Sequence, residues 1–300
     1  MTLPTCKPVN MEKRPMVMII IGVMGISLSA IFVKYSKAPS VVTAAWRLVW
    51  TVGLMSPVVW GFKERRQELL RTDRRSGALC AASGIFLALH FWAWFESLKH
   101  TAVASSTAIV CTEVIWVALG YCLFLGGKIR KKAAAAIAVT LAGSLVIACS
   151  DSGEGTAHLY GDLLALAAAV AVACYTLIGR VARTTMSTVV YTYIVYSFSA
   201  VTLLLLAWAQ GYSLTGYGAS GAVAGLLLAV FSTILGHSIF SWCLKFLSPA
   251  FVSASKLCEP VVAAGFAAVL FGEMPGLLQV IGGAVIIGGV LFYSSVEARP

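Results

Sequence analysis

The chain has 300 residues, of which 59% are hydrophobic and 11% are charged, and its mean hydropathy is +0.89. A water-soluble protein of this size buries at most about three quarters of its surface, so it cannot hide so much apolar area. The 27 glycines follow no three-residue period, which excludes a collagen-like fibre. The net charge of +10 comes from basic residues in short loops between apolar runs, so it indicates membrane topology rather than nucleic-acid binding.

Ten apolar runs follow one another along the chain. They cover residues 15–33, 41–62, 77–98, 103–126, 133–149, 159–179, 188–208, 221–247, 250–271 and 277–294. Nearly every run is long enough for a helix across about 30 Å of hydrocarbon, and continuous apolar character favours helices over the strands of a membrane barrel. The first run is longer than the ~7–15-residue core of a signal peptide. The sequence therefore predicts an all-α integral membrane protein with ten transmembrane helices.

The basic residues between these runs predict the orientation of the chain. Seventeen of them fall on one side of the membrane in this arrangement, and three, Lys34, Lys37 and Lys99, fall on the other. Cytoplasmic loops carry an excess of Lys and Arg. We therefore expect a multi-pass protein of the cell membrane whose amino and carboxyl termini are both cytoplasmic.

The two halves of the chain repeat each other at a shift of 146 residues. Glu113 falls on Glu259, and the other matches include Lys34 with Arg180, Lys37 with Arg183, and Gly143 with Gly289. Each half has five spans, so the second copy enters the membrane upside down. This is the inverted-repeat plan of secondary transporters, which hold substrate near the midplane. We expect a first repeat over residues 1–149, an outer linker over 150–160 and an inverted second repeat over 161–300.

Ionisable residues inside the spans are the candidate functional groups, because a charge at the bilayer centre costs at least ~2.5 kcal/mol. Glu113 and Glu259 occupy equivalent positions and are predicted to face a central cavity, where one binds a substrate amine or a proton. Lys256 lies three residues before Glu259 and shares its helix face. The alternative is therefore an ion pair that only fixes helix packing.

Two further pairs of polar residues have both a functional and a structural interpretation. Arg47 either holds a substrate carboxylate or pairs with Glu96 near the outer ends of their spans. His90 and His237 lie in the middle of their spans, where they either relay protons near neutral pH or form hydrogen bonds between helices.

Aromatic residues at helical spacing from the carboxylates could form the wall of a site for a cationic amine or an amphipathic amino acid. Trp92 shares a face with Glu96, Trp116 follows Glu113 by three residues, and Tyr193 and Tyr196 share a face. Such residues also populate membrane interfaces without a role in binding.

The fifth and tenth spans carry small residues and no charge. Gly143 lies in the fifth, and Gly282, Gly283, Gly288 and Gly289 lie in the tenth. Small side chains let membrane helices approach closely. We expect these spans to form a scaffold or a dimer surface away from the substrate path, in a monomer or a homodimer.

Several short motifs resemble EamA-type carriers of the drug/metabolite transporter superfamily, over about residues 15–294. They are Leu98-Lys99-His100-Thr101-Ala102-Val103-Ala104-Ser105-Ser106-Thr107, Gly161-Asp162-Leu163-Leu164-Ala165-Leu166, Gly236-His237, Leu244-Lys245-Phe246-Leu247-Ser248-Pro249-Ala250, Glu259-Pro260-Val261, Phe271-Gly272-Glu273, and Arg47 in the second span. The chain departs from the pattern at Val114 and Gly127, where the family often has Pro and Glu. The resemblance implies two five-helix repeats and export or exchange of small metabolites.

These features together predict a secondary transporter, working by alternating access around a central cavity, for amino acids or amines as the small-molecule substrate. Carriers of nucleotide- or sugar-type metabolites stay an alternative, as does a membrane-embedded enzyme, although no catalytic motif is visible. The spans lack the continuous polar stripe of a channel. The chain has no GxxxxGK[ST] motif, so ATP is not the direct energy source. The carboxylates inside the spans favour coupling to protons or exchange. No cofactor and no metal site are predicted.

Overall fold

The computed structural model describes residues 13–101, 103–150, 159–271 and 274–297, and the secondary structure of this part of the chain is helical throughout. The predicted linker between the halves and the Gly272-Glu273 motif fall mainly outside these ranges. The elements are α1 (Lys13–Ser27), α2 (Ser29–Tyr35), α3 (Ser40–Gly61), α4 (Lys63–Leu70), α5 (Arg74–His100), α6 (Val103–Cys111), α7 (Glu113–Leu125), α8 (Lys131–Ser150), α9 (Leu159–Ala182), α10 (Thr188–Ala209), α11 (Ala219–Leu227), a π-helical segment (Leu228–His237), α12 (Ser238–Cys243), α13 (Pro249–Lys256), α14 (Glu259–Phe271) and α15 (Leu277–Glu297).

Nine helical segments in the described ranges are long and apolar enough to cross a membrane. Each of them overlaps one of the apolar runs predicted from the sequence, which confirms a multi-pass membrane protein. The remaining predicted span, the fifth, coincides with the 20-residue helix α8, which is not among the nine. The basic stretch after α3 forms the short helix α4 with no buried residue, in agreement with a solvated segment.

Two spans are interrupted at equivalent points. Helix α6 ends at Cys111 and α7 begins at Glu113, while α13 ends at Lys256 and α14 begins at Glu259. In the second case Pro260 lacks the N–H that would continue the ladder. The first half has Val114 in that place and still breaks at Thr112, so this interruption does not depend on proline. Each break places a glutamate in the first turn of a new helix, where the helix dipole stabilises a negative charge.

The span between α11 and α12 contains the π-helical segment of ten residues. Two side-chain hydrogen bonds reflect its wider turns. The hydroxyl group of Thr233 donates to the carbonyl of Leu228, and the hydroxyl group of Ser238 donates to the carbonyl of Thr233, each five residues back. π-Helical turns occur frequently at functional sites. Here the segment ends at His237, one of the predicted site residues.

The most extensive helix contacts of the fold join the two halves of the chain, α5 against α9 and α8 against α15. In the second contact Gly143 and Gly282 face each other so closely that a Cβ added to either would lie 2.8 Å from the other's carbonyl oxygen. Their small side chains therefore serve a contact inside the chain. Ser144 and Gly283 of the same two helices also line the larger cavity described below.

The helices end at two opposite faces of the bundle. At the Lys34 end, α2 finishes, α3 starts, and Gly161 of α9 packs against the backbone of His100 at the end of α5. At the opposite, Arg180 end, α9 finishes and α5 starts. The residue before α5 is Asp73, whose carboxylate accepts hydrogen bonds from the backbone N–H groups of Arg75 and Ser76. The hydrogen bonds to Ser76 lower the pKa of the Asp73 carboxyl below its ordinary value.

Candidate functional site

A buried chamber of about 40 Å³ lies where the broken spans meet the π-helical segment. The side chains that matter for its chemistry are His90, Trp94, Glu113, His237, Lys256 and Glu259. They come from α5, α7, the π-helical segment, α13 and α14, so both halves of the chain contribute. We call this the central chamber.

Lys256 forms an ion pair with Glu113 across the central chamber. Its Nζ lies 2.9 Å from Oε1 of Glu113, and the two side chains are only 10% and 5% exposed. The sequence left an ion pair of Lys256 with Glu259 as the alternative to a binding role. That pairing is wrong, because the helix break at Leu257 and Cys258 removes the continuous turn that would align Lys256 with Glu259.

Glu259 is therefore the carboxylate left without a counterion. It forms no ion pair or hydrogen bond with any residue in the described ranges, although it lies within electrostatic reach of Glu113, Lys256 and Arg47. It lines the central chamber and also a second cavity of about 830 Å³. Glu259 thus stands between the two spaces.

The second cavity, which we call the vestibule, lies at the Lys34 end of the bundle. It runs between α2, α6, α8, α14 and α15, and its polar lining residues include Lys34, Thr107, Ser144, Glu259 and Gln279. Lys34 is exposed, at the mouth, and Glu259 is its one carboxylate among the described lining residues. A solute in the vestibule can therefore reach a charge buried deep in the bundle.

At the opposite end, two arginines bind backbone carbonyl groups. Arg180 of α9 donates hydrogen bonds to the carbonyl groups of Leu244 and Leu247, the second over 3.3 Å. Arg183 donates to the carbonyl groups of Ser241 and Met186. Carbonyl groups at a helix C-terminus attract cations, so these contacts tie α9 to the end of α12.

The two predicted histidines meet in the chamber, with their ring centroids 6.3 Å apart. Nδ1 of His90 forms a hydrogen bond of 3.0 Å with the carbonyl of Ala168, which ties α5 to α9. Nδ1 of His237 is buried and has no hydrogen-bond partner. His237 therefore has a buried ring nitrogen without a hydrogen-bond partner among the described residues.

Arg47 is fully buried beside the chamber. Its Nε donates to Oγ1 of Thr233 over 2.7 Å, and its guanidinium carbon lies 3.9 Å from the ring centre of Phe91. The two terminal nitrogens of the guanidinium group have no hydrogen-bond partner. The predicted pair with Glu96 is wrong, because the carboxylate of Glu96 instead lies 3.3 Å from Lys99 and from His100 at the end of α5.

The tryptophan that lines the central chamber is neither of the two that the sequence predicted for an aromatic wall. Trp94 lines the chamber and stacks on His90 with ring centroids 6.1 Å apart. Trp92 points into the packing between helices, and Trp116 is 38% exposed on the outside of the bundle. The signal for Trp94 was present in the sequence, since it follows His90 by one helical turn and its repeat counterpart is also aromatic, Phe240.

The two tyrosines predicted to share a face have separate surroundings. The hydroxyl group of Tyr193 is 3.0 Å from both Oγ of Ser56 and Nε1 of Trp60, near the end of α3. Tyr196 is fully buried, with its hydroxyl group 3.0 Å from Oγ of Ser238. Neither tyrosine lines the chamber. Sequence reasoning also missed Ser29 and Ser253, which do line it.

Comparison with known proteins agrees with this architecture. A family model described as the EamA-like transporter family matches residues 13–149 and again residues 159–295. An "Uncharacterized transporter" of Clostridium kluyveri is 24% identical over 254 residues, which are 83% of this chain and 81% of that protein. A "Probable terminal-alkyne amino-acid exporter" of Streptantibioticus cattleyicolor is 27% identical over 71% of each chain.

A solved structure described as "Crystal structure of protein" has a TM-score of 0.74 with this chain. It is 18% identical and covers 96% of this chain and 99% of its own. At this identity the likeness concerns the fold.

Proposed function

Because the chain belongs to the EamA-like transporter family, we propose that it is a secondary transporter that exports small amine-bearing metabolites, amino acids or amines, in exchange for protons. The observation that carries the proposal is the carboxylate of Glu259, which lies between the vestibule and the central chamber and has no partner among the described residues. A buried charge inside the membrane requires a partner, and either a substrate ammonium group or a proton satisfies this carboxylate. The exporter from S. cattleyicolor is described as acting on amino acids, which supports this class.

Competition for one carboxylate gives a simple exchange cycle. When Glu259 faces the outside it binds a proton, and when it faces the cytoplasm it releases the proton and binds the ammonium group. Glu259 cannot bind a proton and an ammonium group at the same time, so each substrate molecule that leaves is exchanged for a proton that enters. Lys256 does not compete for this carboxylate because Glu113 holds it.

The scaffold proposed for this cycle has ten transmembrane helices in two inverted repeats, over residues 1–149 and 161–300. Both termini lie in the cytoplasm, and the Lys34 end faces outward, in agreement with the distribution of basic residues. The structure then corresponds to an outward-open state, with the vestibule accessible and the Arg180 end closed.

Transport in proteoliposomes tests this function. We expect an acidic interior to drive accumulation of labelled leucine or phenylalanine, or of their decarboxylated amines, because each proton that leaves is exchanged for a substrate that enters. Uptake is counted only in excess of that by protein-free liposomes, since neutral amines cross a bilayer unaided and are trapped by protonation. Uptake should saturate and should not require ATP. Absence of uptake of all four compounds would contradict the proposed substrate class, and uptake that does not respond to the pH gradient would contradict proton exchange.

The repeat predicts how the outward-open state closes. At a shift of 146 residues, Arg180, Leu244 and Leu247 correspond to Lys34, Leu98 and Thr101. Arg180 binds its two carbonyl groups in the closed end, whereas Lys34 lies at the open vestibule. In the inward-open state Lys34 should bind the carbonyl groups at the end of α5 while Arg180 releases those at the end of α12.

Removal of Arg180 should therefore shift the protein towards the inward-open state. We expect Arg180→Ala to slow labelling of Thr107→Cys in the vestibule by a polar maleimide about tenfold, the effect of one lost charge-assisted hydrogen bond. Lys34→Ala should not slow labelling of Thr107→Cys. Lys245→Ala is the control, since Lys245 is an exposed cation at the same end as Arg180. Equal labelling rates in the Arg180→Ala protein and the control would contradict the exchange of contacts.

A further inference from the structure

Three buried groups near the central chamber have polar nitrogens that find no partner in the part of the chain that the structure describes. They are the two terminal nitrogens of Arg47, Nε1 of Trp94 and Nδ1 of His237. Buried polar groups are nearly always hydrogen-bonded, so a cluster of exceptions requires an explanation. Arg and Trp can only donate, and neutral His can donate from Nδ1. The cluster is therefore suited to an acceptor, above all an anion.

Two of the three groups contact the ring of Phe91, and the third is joined to it through His90. The guanidinium group of Arg47 lies over Phe91, and the ring of His237 contacts Phe91 edge-on with centroids 5.1 Å apart. Trp94 stacks on His90, which in turn lies 5.2 Å from Phe91. Trp94 and His237 both line the chamber that also contains Glu259. Two of the donors therefore line the space that contains Glu259, and Arg47, which is not among the lining residues, lies beside it against Phe91.

We infer that Arg47, Trp94 and His237 form a carboxylate-binding subsite, so that the transported molecule is a zwitterion with an ammonium group on Glu259 and a carboxylate on these donors. The inference rests on the proposed function and narrows its substrate class from amines in general to amino acids. The planar fork of an arginine matches a carboxylate with two parallel hydrogen bonds.

The sizes of the two cavities agree with this division. The chamber measures about 40 Å³, which exceeds the ~10–15 Å³ that a single water needs, so a small polar group such as a carboxylate fits in it. The vestibule on the other side of Glu259 measures about 830 Å³, which is ample for a side chain. The protein should therefore be strict about the head group and tolerant of the side chain.

The test compares compounds that differ only in the carboxylate. Leucine, leucinamide and isoamylamine share one side chain, and phenylalanine with phenethylamine gives a second matched pair. In proteoliposomes with wild-type protein, we expect the amides and amines to be transported or to compete more than about 100-fold less well than the amino acids, because a site built for hydrogen bonds rejects analogues that leave its donors unpaired.

Variants assign this preference to the three donors. Arg47→Gln should abolish amino-acid transport, and Trp94→Phe, which keeps the ring and removes only the N–H donor, should raise the KM for leucine about tenfold while its kcat stays within twofold. The matched control is Trp116→Phe, the same substitution at a tryptophan on the outside of the bundle. Trp94→Phe keeps the test valid if Arg47→Gln does not fold.

The outcomes separate the two proposals. If isoamylamine is transported as well as leucine, or if Trp94→Phe leaves the KM for leucine unchanged, the carboxylate subsite is wrong and the amine transporter stands. If none of the five compounds is transported, the proposed function itself fails.

Discussion

Replacement of Glu259 by Gln is expected to abolish accumulation of substrate driven by a pH gradient. Glutamine has the shape of glutamate but can neither hold a negative charge nor exchange a proton. Loss of one charge-assisted hydrogen bond in a buried site corresponds to roughly 10- to 100-fold weaker binding of the ammonium group, and loss of the proton site removes the coupling altogether. The measurement is uptake of labelled substrate into proteoliposomes with an acidic interior.

Glu96→Gln provides the control for this experiment. Glu96 is also a glutamate in a membrane helix, but it lies at the end of α5 with Lys99 and His100 beside it. We expect its transport rate to stay within twofold of the wild type. If Glu259→Gln retained uptake driven by the pH gradient, the central role of this carboxylate would be refuted, whatever the behaviour of Glu96→Gln.

Replacement of Lys256 by Met should destabilise the protein strongly, because it leaves the carboxylate of Glu113 buried without its partner. Breaking a buried ion pair from one side costs about 3–5 kcal/mol. The double variant Lys256→Met with Glu113→Gln removes both charges and should recover most of that loss. Thermal unfolding of the purified protein in detergent, followed for both single variants and the double variant, measures the coupling.

Lys245→Met serves as the control, since Lys245 is exposed at the Arg180 end of the bundle, and it should change stability little. Additive effects of the two single substitutions would show that Lys256 and Glu113 do not interact. The pair also makes the two halves of the chain unequal, because the repeat counterpart of Lys256 is Val110. This asymmetry gives a physical reason why only one of the two equivalent glutamates is free to bind a ligand.

The choice between the two glutamates was not available from the sequence. Helical spacing placed Lys256 beside Glu259, since residues three apart share a face of a continuous helix. The helix is interrupted between them, and the ammonium group of Lys256 bonds to Glu113, 143 residues earlier in the chain. The same spacing argument selected Trp92 and Trp116 as aromatic residues of the site, whereas the tryptophan that lines the chamber is Trp94.

The sequence by itself determined which segments are apolar enough to span a membrane, that the chain carries two related halves, and that Arg47, Glu113 and Lys256 are charges inside the spans. The physical reason is that these properties depend on local transfer free energies, so the length of an apolar run and the cost of each charge can be read residue by residue. Only the tertiary structure decided which charges neutralise each other and which are left for a ligand. A helical repeat shows which side chains share a face, but the packing of distant helices decides what that face contacts. Here the packing joined Lys256 to Glu113. It left Glu259 and Arg47 without ion-pair partners in the part of the chain that is described.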